Sequence, residues 1–496
     1  MVGKPEKDLQ QAHRRRKNRE SFLETLESIV VAFVLAFIFR AFVVEAFVIP
    51  TGSMGPTLYG QHAEFACSDC GYEFAVGTDG SVESHPVCPN CGRRQDVGSD
   101  VPVYSGDRIL VLKFLYDFEE PRRWDVIVFR NPNEPEENYI KRLIALPGEA
   151  LELVRGDVTI NGHVAHKTDR AQEALWMLVH DTSKPPTRKE WQPVWIANPS
   201  WEPMDHGFAL ARAPPAGKTA WLAYRHHNAQ GEPDNIRDYY AYNSAAGGWR
   251  LGTSVCTDLG LKTTVTAETP ETVLVVEMRA WKDRFRFILP AEGGKEKARI
   301  VLNGKVVAEA DGGVLPVGRA VRVQVANVDH TLVMRVDGDR VTTRHQQPVT
   351  LKGDVTYLPT AVTEEERQSY ETYPAPGIAA PMAYELRVGL SGGTGRLAYL
   401  RLDRDVYYIN ETIRGPMGTE PGHGTEGNPF QLQAGEYFVC GDNSPKSFDG
   451  RLWPLDRPVV PRRNLVGKAF FVYWPAAGSR LHIPLAPDPT GWRLVH

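Results

Sequence analysis

A chain of 496 residues is too long for one ordinary hydrophobic core, so two to four folded units are expected. Its 42% apolar and 24% charged residues exclude a disordered chain, and its 44 glycines and 37 prolines point to a turn-rich, mainly β architecture. A net charge of −4 excludes a general field for nucleic acid, so any attraction to an anionic surface must be local.

One such locality is His13-Arg14-Arg15-Arg16-Lys17-Asn18-Arg19, which precedes the most apolar text of the chain, Ile29 to Phe39 and then Ala41 to Ile49. This order predicts a basic cytoplasmic tail over residues 1–21 and a transmembrane anchor over 22–44. Arg40 interrupts the span and Glu24 and Glu27 lie at its start, so crossing requires the glutamates at one interface and Arg40 snorkelling toward the other. A buried core helix is one alternative. A removable signal peptide is another, although Val44-Glu45-Ala46-Phe47-Val48-Ile49-Pro50 is a poor cleavage site. With an uncleaved anchor in the cytoplasmic membrane, everything after Phe47 lies outside the cytoplasm.

Beyond the anchor, residues 61–100 form a Gly-, Ser- and Asp-rich insertion that holds four of the six cysteines. Cys67-Ser68-Asp69-Cys70 and Cys88-Pro89-Asn90-Cys91 are two CxxC pairs whose spacing fits a four-thiolate zinc ribbon, with Cys91-Gly92 as a knuckle-like turn. Two disulfides or a redox pair compete with that reading outside the cytoplasm. Cys256 and Cys440 read as ordinary buried thiols, and the histidines show no metal-ligand spacing.

Alternating apolar runs then predict strands at Arg108 to Lys113, Asp125 to Arg130, Leu151 to Ile160 and Tyr437 to Cys440. Asn161-Gly162 is a strong hairpin signal. Residues 166–400 form a second, larger insertion, with strand-turn-strand text at Arg299 to Ala308 and Thr331 to Arg340. Hairpins at that spacing predict a β-sandwich, similar in composition to laminin-G or concanavalin-like jelly rolls.

The chemistry-bearing text lies outside both insertions. Phe47-Val-Ile-Pro-Thr-Gly-Ser-Met-Gly-Pro-Thr-Leu58 follows the anchor directly. Next come Gly106-Asp107-Arg108, Trp124 to Phe129, and Tyr139-Ile-Lys-Arg-Leu-Ile-Ala-Leu-Pro-Gly-Glu149. Gly441-Asp-Asn-Ser-Pro-Lys-Ser-Phe-Asp-Gly-Arg451 closes the series. A serine hydroxyl needs a neighbouring base to become a nucleophile, and no Ser-His-Asp order is evident. A lysine serves only when neutral, which requires its pKa to fall from about 10.4 to roughly 7–8 by burial. The apolar setting of Lys141 on a strand provides such a site. Singly, Ser53 reads as a turn serine, Lys141 as a solvated strand lysine, and Asp449 with Arg451 as a surface pair.

Together and in this order, the boxes resemble those of bacterial signal peptidase I. The resemblance implies a mainly β catalytic domain assembled from residues 45–60, 101–165 and 401–485, with 486–496 as a C-terminal tail. It implies a serine endopeptidase with Ser53 as nucleophile and Lys141 as general base, and no cofactor for catalysis. The Ser53 N–H and the Thr51 hydroxyl would form the oxyanion hole. Ser447 would orient the lysine amine, and Asp449 and Arg451 would pair in support. Thr51 stands where the family more often has serine, and Ser444 stands where it has a basic residue. Ile49, Pro50, Met54, Leu58, Tyr139 and Ile140 would line shallow pockets for small side chains before the cut, suited to exported preproteins whose signal peptides end in Ala-x-Ala. The implied partners are those preproteins and membrane lipid, with no nucleic acid. A membrane-tethered binding protein with an inactive peptidase core is the alternative from another class. A self-cleaving Ser/Lys regulator shares the dyad but should be soluble and carry a DNA-binding helix-turn-helix.

Overall fold

The computed structural model describes residues 24–34, 37, 43–78, 85–96, 101–228, 231–246, 253–310, 313–337, 339–340, 355–372, 381–409, 413–415, 418–420, 422–454, 456–474 and 492–496. The basic cluster at 13–19 and residues 22, 23, 35, 36 and 38–42 of the expected anchor lie outside the described residues. Residues 24–34 are helical, and Leu26, Ile29, Val30, Val31, Phe33 and Val34 along them are each about half exposed. No helix among the described residues is long and apolar enough to cross a membrane.

The segments around the five boxes build one antiparallel sheet. In chain order its strands are β1 (Val44–Val48), β2 (Arg108–Leu112), β3 (Val126–Arg130), β4 (Asn138–Ala145), β5 (Glu436–Cys440), β6 (Val460–Pro461), β7 (Leu465–Trp474) and β8 (Arg493–Leu494). In space they run β1-β2-β7-β3-β4-β5-β6, with β8 against β7. Within the expected tail at 486–496, Arg493–Leu494 pairs with Val472 and Phe471. β2 alternates buried Ile109 and Val111 with half-buried neighbours, the pattern of a strand with one covered face. β4 is different, because its last five residues from Lys141 to Ala145 are all buried, which fits a central strand between β3 and β5. One core cluster packs Ile49, Met54 and Leu58 against Ile109, Val111, Val126 and Val128. A separate cluster gathers Ile127, Phe129, Leu143, Tyr437, Val439 and Trp453.

The run from Leu151 to Ile160 is a correction to the single strand expected there. Arg155 and Gly156 both take positive φ (52° and 93°), and the run folds into two strands, Ala150–Val154 and Asp157–Ile160. The Asn161-Gly162 hairpin forms as expected, with φ of 50° and 80°, the double left-handed geometry that two-residue hairpins favour.

The large insertion folds into two stacked antiparallel sheets. One is built around Gly395–Arg404, Leu259–Ala267, Ala320–Val328 and Thr331–Val336. The other is built around Thr219–Tyr224, Tyr384–Ser391, Val273–Ala280, Asp283–Pro290 and Ala298–Leu302. Alternate residues of both enter one shared core that includes Leu261, Val276, Phe287, Val325, Val388 and Leu402. Its last strand continues to Arg404, four residues past the boundary expected at 400.

Candidate active site

The first catalytic box leaves β1 in extended conformation and tightens at Gly52–Met54 into a single 3₁₀ turn. Ser53 sits in that turn. Its companion arrives on β4, where register pairs Ile127 with Lys141, and Lys141 Nζ lies 2.8 Å from Ser53 Oγ and 3.0 Å from the Ile140 carbonyl. The ammonium form is disfavoured here: Lys141 is 4% exposed, and burial pushes its pKa down to about 8 against the opposing pull of Asp449 and Asp442. A partly neutral lysine in contact with a serine hydroxyl is the arrangement that a nucleophile and its base require.

Behind the pair, the Gly441–Arg451 box forms a buried polar scaffold. The Asp449 carboxylate receives the Gly441 N–H at 2.9 Å, Arg451 Nε at 2.9 Å and Arg451 Nη2 at 2.7 Å. Burial alone would raise Asp449, but the Arg451 guanidinium holds it below the usual carboxylate range. Ser444 fits because its hydroxyl accepts Arg451 Nη1 at 2.6 Å and the Ile409 N–H at 2.8 Å.

The remaining expected residues are placed unevenly. Thr51 is exposed at the start of the turn, and its hydroxyl does not cap it. Ser447 is buried beside the pair and helps hold the Asp449 carboxylate in its charged form, but its Oγ makes no hydrogen bond of acceptable geometry to Lys141. Close approach explains why its neighbour is glycine: a Cβ on Gly441 would come within 2.2 Å of Ser447 Oγ and 2.3 Å of the Ser53 carbonyl. Ile49, Met54 and Leu58 are 2% exposed or less, so they can form only the floor of a pocket, whereas Pro50 is exposed and Tyr139 and Ile140 are half-buried at the surface. A cavity of about 730 Å³ lies elsewhere, between the cysteine module and the sandwich, and meets the nucleophile loop at Pro56 and Tyr59.

Arg142, next in sequence to the base, is fully buried and forks onto Asp442, with Nε to Oδ1 and Nη2 to Oδ2 both at 2.7 Å. The sequence offered these two residues only as box members. It gave no signal at all for Tyr242 and Asn243, which the large insertion brings against the nucleophile turn. The Tyr242 ring packs so closely on Gly52 that a Cβ there would fall 2.2 Å from it.

The four module cysteines converge. Their sulfurs lie within 4.8 Å of one another, with Cys67–Cys91 at 3.6 Å and Cys70–Cys88 at 3.7 Å. Each CxxC closes in the same way, Gly71 N–H onto the Cys67 carbonyl and Gly92 N–H onto the Cys88 carbonyl, with both glycines at positive φ. Gln95 Nε2 donates to Cys67 Sγ at 3.3 Å, and Asn90 Nδ2 and Arg188 Nη1 approach Cys70 and Cys91 at 3.7 Å. Asn90, by also accepting the Asp181 N–H, ties the module to the sandwich.

Residues 95–194 and 332–474 match the family described as signal peptidase, peptidase S26. The family it matches is that of the signal peptidases. Lys141, Asp449 and Arg451 fall within the matched segments, and Ser53 reaches them through the fold. Signal peptidase I of Rickettsia bellii (strain OSU 85-389) is 25% identical over 177 residues, covering 34% of this chain and 50% of that protein. Signal peptidase I of Buchnera aphidicola is 31% identical over 147 residues, covering 27% of this chain and 32% of that protein. The chain thus spans half the length or less of these two signal peptidases. Among solved structures, the carbohydrate-binding module CBM66 from Bacillus subtilis is 10% identical and covers 42% of this chain and 95% of that one. Its TM-score is 0.25, too low to argue from.

Proposed function

We propose that this protein is a membrane-bound signal peptidase I, a serine endopeptidase that removes signal peptides from exported preproteins after small residues. The observation that carries this reading is the buried Lys141 amine 2.8 Å from Ser53 Oγ. Neutral Lys141 takes the hydroxyl proton as Ser53 Oγ attacks the scissile carbonyl. The Ser53 N–H and the Thr51 hydroxyl receive the oxyanion. The protonated lysine then gives its proton to the departing amine. A water activated by the same lysine hydrolyses the acyl-enzyme and frees Ser53. The buried floor of Ile49, Met54 and Leu58 leaves little depth for a side chain next to the cut, which favours alanine-sized residues. The exposed apolar side chains of residues 24–34 and the basic cluster before them support an anchor in the cytoplasmic membrane with the N-terminus inside.

Incubation of detergent-solubilised protein with a preprotein, followed by mass mapping of the product, tests the reading. Cleavage after an Ala-x-Ala end is expected. A base titrating at about 8 also fixes the pH dependence: kcat/KM should rise about tenfold per unit below that point and level off above it. An intact preprotein at every pH would remove the peptidase assignment.

The four cysteines are read as one structural zinc site that takes no part in proteolysis. Tetrahedral thiolates at a Zn–S distance of ~2.3 Å stand about 3.8 Å apart, close to the 3.6 and 3.7 Å seen here. Four sulfurs leave no position for a water nucleophile, so the metal would supply folding energy to a module with few large apolar residues. Elemental analysis with thiol counting under denaturing conditions should find about one zinc per chain and all thiols free. No metal and four missing thiols would establish disulfides instead.

A further inference from the structure

The oxyanion donor is not held by the catalytic boxes alone. Asn443, fully buried in the Gly441–Arg451 box, grips the nucleophile turn twice: its N–H donates to the Ser53 carbonyl at 3.1 Å, and its Nδ2 donates to the Gly52 carbonyl at 2.9 Å. The Gly52 carbonyl and the Ser53 N–H belong to one planar trans peptide and point in opposite directions. Anchoring the carbonyl therefore aims the Ser53 N–H.

The orientation of the Asn443 amide is in turn set from the large insertion. The Gly52 carbonyl can only accept, so the NH₂ of Asn443 must face it, which turns Asn443 Oδ1 toward Asn243. Asn243 Nδ2 donates to that oxygen at 2.7 Å, and Asn243 Oδ1 accepts Asn443 Nδ2 at 2.8 Å. Two amides thus close a reciprocal pair in which only a donor at residue 243 satisfies Oδ1. Asn243 is held in place by its neighbour Tyr242, whose ring stacks between Tyr59 and Tyr240 and packs on Gly52. Tyr59 lies on the nucleophile loop, and Tyr240 comes from the insertion.

We propose that Asn243, supplied by the inserted sandwich domain, is a positioning residue for the oxyanion hole and acts through Asn443 on the Gly52–Ser53 peptide. The insertion is then part of the catalytic apparatus. This rests on the peptidase reading above, and it touches neither substrate nor Lys141.

The full-length, detergent-solubilised protein is compared with N243A and with N243D, which is isosteric but presents an oxygen where Asn443 Oδ1 needs a donor. At a pH on the plateau, kcat for preprotein cleavage should fall about tenfold or more in both variants, with KM within about twofold of wild type. The midpoint of the acid limb in N243A should stay near that of wild type, since Asn243 does not contact the lysine. Should N243A fail to fold, N243D gives the same kcat and KM comparison. Wild-type kcat in N243D would mean that shape alone matters at residue 243 and would overturn the proposal, as would a loss confined to KM or a displaced acid limb in N243A. A wild-type protein that cleaves nothing condemns the peptidase reading itself, a result that needs no variant.

Discussion

Lys141→Met is expected to leave no measurable preprotein cleavage while making the folded protein more stable at neutral pH. Loss of the general base removes ~10²–10⁴ in rate, and Ser53→Ala should match or exceed that loss by removing the nucleophile. Lys141→Arg should fail too, because a guanidinium is not deprotonated in a protein. The stability effect follows from linkage. Burial lowers the folded-state pKa of Lys141 to about 8 from 10.5 in the unfolded chain. Between those values the unfolded state binds more protons, so stability rises with pH across that window. Below about 8 both states are protonated, and the folded state carries the whole cost of a buried ammonium, about 3 kcal/mol. Methionine fills a similar volume with no charge to desolvate. Part of that cost should therefore be recovered at pH 7, and the advantage should fade toward pH 10.5. Denaturant unfolding of wild type and variant at pH 7 and pH 10.5 checks it. A Met variant less stable than wild type at pH 7 would show that the lysine is not a strained group kept for chemistry.

How legible such a site is depends on how local its causes are. Ser53 and Lys141 could be read because a nucleophile turn after an apolar segment and a lysine inside an apolar strand are features of short stretches of chain. The Asn161-Gly162 turn could be read for the same reason, since left-handed backbone selects those residues on the spot. The break at Arg155-Gly156 was hidden because arginine is not a usual occupant of positive φ. Asn243 had no local signal: its meaning comes from Asn443, 200 residues away, and from the carbonyl of Gly52. Ser447 is the converse case: its box position implied a bond to the lysine, and its buried Oγ makes none of acceptable geometry. Adjacent boxes singled out the candidates, and the long-range fold decided which of them touch.

The Arg142–Asp442 pair tests the scaffold rather than the chemistry. Both side chains are fully buried, and Arg142 also donates to the Trp124 carbonyl at 2.7 Å and the His496 carbonyl at 2.8 Å. Asp442 additionally accepts the Thr57 hydroxyl, so one carboxylate ties β4, the end of β5 and the loop after the nucleophile. Asp442→Ala strands a guanidinium in a fully buried site, and removal of one partner from such a pair costs about 3–5 kcal/mol. That should appear as a large fall in the denaturant midpoint. Asp442→Asn keeps the shape and one acceptor, so it should cost less. Because Asp442 also raises the Lys141 pKa, both variants should move the acid limb of kcat/KM to lower pH. Arg142→Met combined with Asp442→Leu should be less destabilising than the sum of the two single changes, since the double variant leaves no uncompensated charge. Additive losses across that cycle would mean that the two residues stabilise the fold separately, through their backbone contacts and not through each other.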